Sequence, residues 1–144
     1  MNVRAILEAK GHDVVTTQPE TSVAEVCRLL QRRRIGAIPI VDRAGAIVGI
    51  ISERDIVAGL SEHGTAVVGM TAGALMSRQV QHCRPDDGIG EIMAVMTNRR
   101  VRHLPVLEEG RLSGLVSIGD VVKARLDEAA LEVDSLRQYV MEAR

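Results

Sequence analysis

Two short motifs of the same form carry the side chains best suited to bind a small polar molecule. They are Ser52-x-x-Asp55 and Ser117-x-x-Asp120, and each directly follows an apolar segment. A serine at the start of a helix can bind a phosphate with the help of the helix dipole. A nearby aspartate can accept two hydrogen bonds from a ribose diol. The same spacing is typical of a capping box, in which serine and acid satisfy free backbone N–H groups, and the two roles are compatible.

A second pair of segments occupies matching places in the sequence, but one segment begins with small residues and the other with basic residues. Gly36–Pro39 begins with two small residues, which would let a flat base approach the backbone or would merely ease helix–strand packing. Arg102–Pro105 begins with an arginine and a histidine. This basic pair suits a phosphate, although a solvated surface arginine is the usual case. The asymmetry predicts that the clefts built from these segments are not equivalent.

These motifs belong to an internal duplication that must position them. Pro19 and Pro39 recur as Pro85 and Pro105, in both cases 66 positions later (85 − 19 and 105 − 39). The turn that follows Pro105 is one residue shorter than the turn that follows Pro39, so Gly49 and Gly114 are 65 positions apart (114 − 49). A repeat in such constant register predicts two similar subdomains around a pseudo-twofold axis, with two related clefts between them.

Each copy has the pattern of a β-α-β-β-α unit, so the expected fold class is α+β. Apolar spacing, β-branched runs and turn residues indicate the elements. In the first copy they are a strand at 14–16, a helix at 23–34 capped by Ser22, strands at 35–41 and 47–51, and a helix from Ser52. In the second copy they are a strand near Val80, a helix at 89–100, strands at 101–107 and 112–116, and a helix from Ser117. A short helix at 3–9, closed by Gly11, precedes both copies.

The last helix continues beyond the second copy with an apolar stripe along one face. Its members step by three and four residues, which is the a/d spacing of a helix that packs on a neighbour. They are Leu126, Ala129, Val133, Leu136 and Val140. We expect a docking or dimerisation arm here, and the alternative is that the stripe packs on its own chain.

Composition excludes several classes of function. A chain of 144 residues can bury one core or two small ones that share an interface. Tyr139 is the only aromatic residue and the formal net charge is −1, which argues against nucleic-acid binding by stacking or by a basic surface. Cys27 and Cys83 lack the spacing of a zinc site or a disulfide framework, which fits a reduced, cytoplasmic setting.

Neither a membrane segment nor a catalytic constellation is evident. No long apolar run predicts a membrane span, and the N-terminus lacks the apolar region of a signal peptide. The residues His12, His63 and His82 have no neighbours at metal-ligand spacing. No nucleophile–base motif or phosphate-binding glycine loop is present, and His103 is the only titrating candidate for catalysis beside the clefts.

The repeated motifs resemble those of a known family. Residues 34–42 with 49–55, and residues 101–106 with 114–120, are each similar to the conserved parts of a CBS domain. Over about residues 8–126 the chain resembles a stand-alone CBS pair, or Bateman module. The resemblance implies two units paired through their sheets, and disc-like dimers. It also implies an adenosyl ligand such as AMP, ADP, ATP, NAD(H) or S-adenosylmethionine.

Carried over by position, the resemblance implies two ligand sites. One would use Ser117, Gly119 and Asp120, with the base near Gln18, Val23, Ile35 and Gly36, and with Arg102 and His103 near phosphate. The other would use Ser52, Arg54 and Asp55, with the base near Arg84, Ile89, Val101 and Arg102. Ala37 and Ile38, which follow Gly36, complete the predicted set. Because Arg102 would narrow the Asp55 cleft or supply a phosphate ligand there, we expect the Asp120 cleft to be the better site.

We therefore predict a cytoplasmic, non-catalytic sensor of adenine nucleotides, with AMP or NAD(H) as the preferred ligand. It would act as a homodimer, with no nucleic-acid or membrane partner. Ligand binding would change the angle between the copies and so the surface offered to a protein partner. The alternative is an interaction module that binds no ligand and acts through dimerisation and its last helix. The predicted divisions are residues 1–11, 12–61 (first repeat), 62–74 (linker), 75–126 (second repeat) and 127–144.

Overall fold

The computed structural model describes residues 1–143 and has helices and strands close to the expected positions. The helices are α1 (Val3–Lys10), α2 (Val23–Arg33), α3 (Glu53–His63), α4 (Ala72–Leu75), α5 (Ile89–Arg99) and α6 (Ile118–Glu142). The strands are β1 (Ala37–Val41), β2 (Ile47–Ser52), β3 (His103–Glu108) and β4 (Arg111–Ser117), and a 3-10 helix spans Gly64–Gly69. The predicted α+β class and the long C-terminal helix are confirmed.

The two repeats contain matching two-stranded sheets. Strands β1 and β2 form one antiparallel pair and β3 and β4 form the other. Each pair has a register shift at the same place, between Ile40 and Val41 in one and between Val106 and Leu107 in the other. The duplication seen in the sequence is therefore preserved down to local irregularities of the backbone.

The first strand predicted for each repeat is wrong, because it is reduced to a single bridging residue. Thr17 pairs in parallel with Ile40, and Cys83 pairs in the same way with Val106. The N–H of Thr17 donates to the carbonyl of Pro39, and the N–H of Cys83 donates to that of Pro105. The next bond of a parallel ladder would need an N–H from the proline, which has none, so the ladder stops there.

Each repeat completes its hydrophobic core with a helix from the segment that precedes the other repeat. Helix α1 buries Val3, Ile6 and Leu7 in the core of the second repeat. Helix α4 buries Ala72 in the core of the first repeat, beside Val26. Matching backbone hydrogen bonds fix both helices: Val3 N–H to Asp87 O, Arg4 N–H to Pro85 O, Ala72 N–H to Thr21 O and Gly73 N–H to Pro19 O. The repeats are therefore mutually dependent.

We call α1 and α4, with the residues that follow each, the exchanged segments, because each packs in the repeat that it does not directly precede. Each exchanged segment contacts a buried glycine at the same position of the two sheets. A Cβ added to Gly114 would lie 2.6 Å from Leu7 Cδ2, and one added to Gly49 would lie 2.5 Å from Met76 Sδ. Leu7 and Met76 thus occupy corresponding positions in the two halves. Only glycine allows the strand to come so close to each of these side chains.

The exchanged segments differ in length beyond that contact. From Leu7 to Thr17 there are ten steps along the chain, and from Met76 to Cys83 there are seven (17 − 7 and 83 − 76). The three additional residues allow α1 to continue to Lys10, whereas α4 ends at Leu75. This difference places a lysine side chain in one half of the molecule without a counterpart in the other.

The last helix extends far beyond the core. Val121 and Ala124 are its buried residues, and from Arg125 to Glu142 the helix is exposed except for the half-buried Glu128. Leu126 is 65% exposed and Leu136 is 64% exposed. The apolar stripe predicted for this helix therefore does not pack on its own chain.

Candidate functional site

The two Ser-x-x-Asp motifs lie at the first turns of α3 and α6, as their spacing predicts. The backbone N–H and the hydroxyl of Ser52 both donate to Asp55 Oδ2, at 2.8 and 3.1 Å. The N–H of Ser117 donates to Asp120 Oδ2 at 2.9 Å, and the N–H of Asp120 donates to Ser117 Oγ at 3.2 Å. Both serines are N-caps, and the predicted capping boxes are confirmed. The capping bonds hold each carboxylate at the N-terminus of its helix.

An open cleft of about 300 Å³ lies between the two repeats beside Asp55. The first repeat contributes the ends of β1 and β2 and the first turn of α3. The second repeat contributes the segment that leads into β3 and, at one edge, side chains from the segment between α4 and α5. The lining residues are Gly36, Ala37, Ile50, Ser52, Glu53, Arg54, Asp55, Ser77, Gln79, Gln81, Arg100, Val101, Arg102 and His103.

This cleft combines an aliphatic wall with a cationic rim. The wall includes Ile50 and Val101. On the rim, Arg54 donates from Nη1 to the carbonyl oxygen of Arg100 at 3.2 Å, which joins the first repeat to the second. Arg100 has a φ of 54°, the left-handed conformation that ends α5 and turns its carbonyl toward Arg54. Arg102 is the third arginine lining the cleft.

A shallower groove continues from the cleft around the same arginines. It has a volume of about 570 Å³ and shares Arg54, Arg100, Val101 and Arg102 with the cleft. Its far side is formed by Met96 and Thr97 of α5 and by Ile118. The cationic rim is thus reached both from the cleft and from the outer surface.

His103 occupies the space that Gly36 leaves open. A Cβ added to Gly36 would lie 2.9 Å from His103 Cε1 and 3.1 Å from Nε2. Burial lowers the pKa of His103, although the nearby charges of Glu53 and Asp120 oppose this effect. The imidazole is therefore neutral at pH 7. In this structure Gly36 admits the ring of a histidine from the other repeat.

The surroundings of Asp120 differ from those of Asp55. Lys10, at the end of α1, donates from Nζ to Asp120 Oδ2 at 2.8 Å and to the carbonyl oxygen of Leu115 at 2.9 Å. Burial alone would raise the pKa of Asp120, but the hydrogen bonds from Lys10 and Ser117 outweigh it and hold that pKa below its usual value. A lysine ammonium therefore already occupies the carboxylate that was expected to bind a ribose.

The structure brings together some of the predicted site residues around Asp55. Ser52, Arg54, Val101 and Arg102 line the open cleft with Asp55, in the grouping expected for this site. Gly36, Ala37 and His103 also line it, although Gly36 and His103 were expected at the other site. Ser117, Gly119 and Asp120 do not line it.

The remaining predicted residues lie elsewhere. Val23, Ile38 and Ile89 are at most 1% exposed and belong to the core. Gln18 lines a separate groove formed with residues 41–44, and Ile35 is half-buried at the end of α2. The N–H of the exposed Arg84 donates to Asp87 Oδ2 at 2.8 Å. None of these six residues lines the Asp55 cleft.

Several residues of the site were missed in the sequence. Ser77, Gln79 and Gln81, near the start of the second repeat, belong to no motif. Ile50 and Glu53 were assigned only to a strand and a helix start. Arg100 was detectable in principle, because it ends a predicted helix one repeat after Arg34. Lys10 carried no signal, since its contact with Asp120 depends on the exchange of α1 into the second repeat.

We also searched the described residues for a reactive cysteine, a metal-binding cluster and a membrane-spanning helix. Burial, with a smaller contribution from Asp87, raises the pKa of the Cys83 thiol to about 12, so this cysteine is not a nucleophile. Within residues 1–143 no group of three or more His, Cys, Asp or Glu side chains could hold a metal ion. In the same range no helix is both long and apolar enough to cross a membrane.

Comparison with solved structures supports the same architecture. A CBS-domain-containing protein from Agrobacterium tumefaciens is 40% identical in sequence, and the match covers 87% of this chain and 99% of that one with a TM-score of 0.85. A second structure, a CBS domain pair in complex with 5′-methylthioadenosine and S-adenosyl-L-methionine, is 25% identical. That match covers 89% of this chain and 98% of the other, with a TM-score of 0.79.

Sequence comparison identifies the family. An uncharacterized 17.7 kDa protein from Acidianus ambivalens is 30% identical over 115 residues, which are 79% of this chain and 68% of that protein. The chain spans between 41% and 61% of three longer curated relatives. The family model for the CBS domain matches twice, over residues 4–62 and 72–127. Because these two matches cover most of the sequence, the chain belongs to the CBS-domain family and contains a CBS pair.

Proposed function

We propose that this chain is a regulatory module that binds an adenosyl ligand in the Asp55 cleft. CBS pairs are regulatory modules, and one structural relative is a complex with two adenosyl compounds. The observation that carries the proposal is the composition of the cleft. It combines the Ser52–Asp55 capping box of one repeat with the Arg100–His103 segment of the other.

The proposed arrangement follows the chemistry of the lining. The ribose hydroxyls would donate to the carboxylate of Asp55, and the adenine would lie against Ile50 and Val101. A hydrophobic wall of this kind can hold an adenine in a chain whose only aromatic residue is Tyr139 on α6. A phosphate would meet the guanidinium groups of Arg54 and Arg102, which bind phosphate oxygens in a planar, charge-assisted geometry.

Charge favours a phosphorylated ligand. Three arginines and two carboxylates, Glu53 and Asp55, line the cleft, and His103 beside them is neutral at pH 7. An anionic ligand such as AMP or NAD(H) would therefore be preferred over S-adenosylmethionine, whose sulfonium group is cationic. We propose AMP or NAD(H) as the physiological ligand and the cytoplasm as its setting.

The signal would pass through the relative position of the repeats. The cleft is lined by both repeats, and the bond from Arg54 to the Arg100 carbonyl crosses between them. A ligand that bridges Asp55 and Arg102 would favour one angle between the repeats, to the extent that it binds one arrangement more tightly than another. We propose that a protein partner recognises this change.

Homodimerisation is the second part of the proposal, and the exposed stripe on α6 supports it. Leu126, Leu136 and Val140 are each more than half exposed on a helix of 25 residues. A second copy of this stripe is the proposed partner, as in a coiled coil. Deletion of the residues after Ala124 should convert the dimer to a monomer in sedimentation equilibrium. An unchanged dimer after deletion would show that the interface lies elsewhere.

Thermal unfolding in the presence of AMP, ATP, NADH or S-adenosylmethionine tests ligand binding. A ligand at about one hundred times its Kd should stabilise the protein by about 2.7 kcal/mol, a shift of several degrees in Tm for a domain of this size. The phosphorylated ligands should shift the Tm of the wild type, and Asp55→Ala should reduce the shift. No shift with any of the four would favour the alternative function, a ligand-free interaction module that acts through α6.

A further inference from the structure

We propose that Lys10 is an internal partner of the Asp120 carboxylate that competes with a ligand there, so that the chain offers one adenosyl site and not two. This inference rests on the proposed function of the Asp55 cleft. It attributes the difference in ligand binding between Asp55 and Asp120 to one side chain. Lys10 lies outside the CBS motifs and would determine which of the two capping boxes is available to a ligand.

The contacts of Lys10 are those of a bound cation. Its ammonium nitrogen lies 2.8 Å from Asp120 Oδ2 and 2.9 Å from the carbonyl oxygen of Leu115. The Asp120 side chain is only 23% exposed and that of Lys10 is 39% exposed, so the pair is partly shielded from water. The oxygen that Lys10 contacts also accepts the N–H of Ser117. A ribose hydroxyl would have to compete with the ammonium group for this carboxylate.

The Asp55 carboxylate has no such competitor among the described residues. Asp55 Oδ2 accepts hydrogen bonds only from Ser52, which belongs to its own capping box. The residues between α4 and α5 that line this cleft, Ser77, Gln79 and Gln81, are uncharged. The corresponding helix, α4, ends at Leu75, too early to carry a side chain to Asp55 in the way that α1 carries Lys10.

Helix length is therefore the cause of the inequality. The three additional residues between Leu7 and Thr17 prolong α1 until its last residue reaches Asp120. Lys10 also stands in the last turn of α1, where a cation is favoured by the helix dipole. The helix dipole therefore favours the Lys10 ammonium at this position without a ligand.

Calorimetric titration with AMP in an Asp55→Ala background isolates the Asp120 cleft. The chain has two lysines, so Lys123→Ala is a matched control that removes the same charge from an exposed position of α6. We expect one AMP per wild-type chain, weak binding to Asp55→Ala, and an affinity roughly tenfold higher in Asp55→Ala/Lys10→Ala, the change expected for a lost charge-assisted competitor. Asp55→Ala/Lys123→Ala should bind no better than Asp55→Ala.

If Lys10→Ala fails to improve binding in this background, or weakens it, the inference is overturned. A second measurement without ligand keeps the result separate from the proposed function. In carboxyl NMR titrations, Lys10→Ala should raise the pKa of Asp120 and Lys123→Ala should not. An unchanged Asp120 pKa in Lys10→Ala overturns the inference even if the wild type binds AMP. Wild type that binds no AMP contradicts the proposed function, while a raised pKa still supports the occupancy by Lys10.

Discussion

Asp55 and Asp120 belong to capping boxes of the same kind and differ in what surrounds them. Arg54 stands one residue before Asp55, whereas Gly119 stands one residue before Asp120, so one capping box has a guanidinium group beside it that the other lacks. In addition, Lys10 contacts Asp120, while Asp55 remains open to a cleft of about 300 Å³. The comparison shows that a duplicated backbone can keep its geometry while single side chains change its chemistry.

The origin of the difference lies outside the repeated motifs. Helices α1 and α4 are exchanged between the repeats, so the segment before one repeat forms part of the other. A change in the length of one exchanged segment therefore alters one cleft and leaves its counterpart intact. Such an arrangement allows the two clefts to diverge without any change in the sheets that hold the capping boxes.

The largest expected effect is a loss of folding stability when α1, and not α4, loses its contact with the core. Leu7 is 1% exposed in the core of the second repeat, whereas the corresponding Met76 is only half-buried. Leu7→Ala should lower the free energy of unfolding by about 2–5 kcal/mol, because it leaves a cavity in that core. Met76→Ala should cost clearly less. Urea unfolding measures both, and a larger loss for Met76→Ala would contradict the assigned packing.

The next largest effect is the loss of AMP affinity, which should be greater when Asp55 is replaced than when Asp120 is replaced. Asp55→Ala should weaken AMP binding by roughly 10- to 100-fold, the range that corresponds to a lost hydrogen bond to a charged group. Asp120→Ala should leave the affinity within about twofold, because the Asp120 carboxylate is already paired with Lys10. Both variants lose a capping box, so each must be titrated well below its own Tm. The opposite ranking would assign the ligand to the Asp120 cleft.

A smaller effect is expected from the arginine that distinguishes the clefts. Arg54→Ala should reduce AMP affinity by about tenfold through loss of a charge-assisted phosphate contact. Binding of adenosine, which has no phosphate, should change little. Arg34→Ala is the matched control, since Arg34 is an exposed arginine outside the cleft. Equal losses for AMP and adenosine would show that Arg54 supports the fold of the cleft and does not bind phosphate.

The smallest effect concerns His103, which lines the Asp55 cleft and also has Asp120 near it. Its charged neighbours are Glu53, Lys10, Asp120 and Arg102. Because burial lowers its pKa below the ordinary value of 6.5, the unfolded chain binds a proton more readily than the folded one. Its contribution to stability is therefore complete above pH 6.5 and is lost as the pH falls from there toward the folded pKa.

His103→Gln tests this by urea unfolding at several pH values between 7.5 and 5.5. The wild type should lose stability over this interval, and the variant should lose less. His82→Gln serves as the control, because His82 is exposed and lies outside the cleft. A wild type and a His103→Gln variant with the same pH dependence would contradict the burial of a neutral imidazole.

The sequence allowed most of the fold to be predicted because its repeats share a register. The helix starts at Ser22, Ser52 and Ser117 were predicted from local capping chemistry and are confirmed. The first strand of each repeat was not, because whether a β-branched run pairs depends on the partner strand. In this chain Pro39 and Pro105 each lack the N–H that would extend the pairing.

The site was harder to predict because it depends on contacts between distant segments. The capping boxes indicated Asp55 and Asp120 as equivalent, and the arginine at 102 favoured the Asp120 cleft as the better site. In the structure the two aspartates differ because Lys10 contacts Asp120 and has no counterpart at Asp55. Lys10 lies 110 residues away from Asp120 in the sequence and contacts it only because α1 packs in the second repeat. Nothing in the local pattern around Lys10 indicates such a contact.

A crystal structure of the protein grown with AMP would test the inequality of the two clefts most directly. Our account predicts nucleotide density in the Asp55 cleft, with the ribose on Asp55 and the phosphate near Arg54 and Arg102. It also predicts that Lys10 remains on Asp120. Density for AMP at Asp120 with Lys10 displaced, and an empty Asp55 cleft, would contradict it.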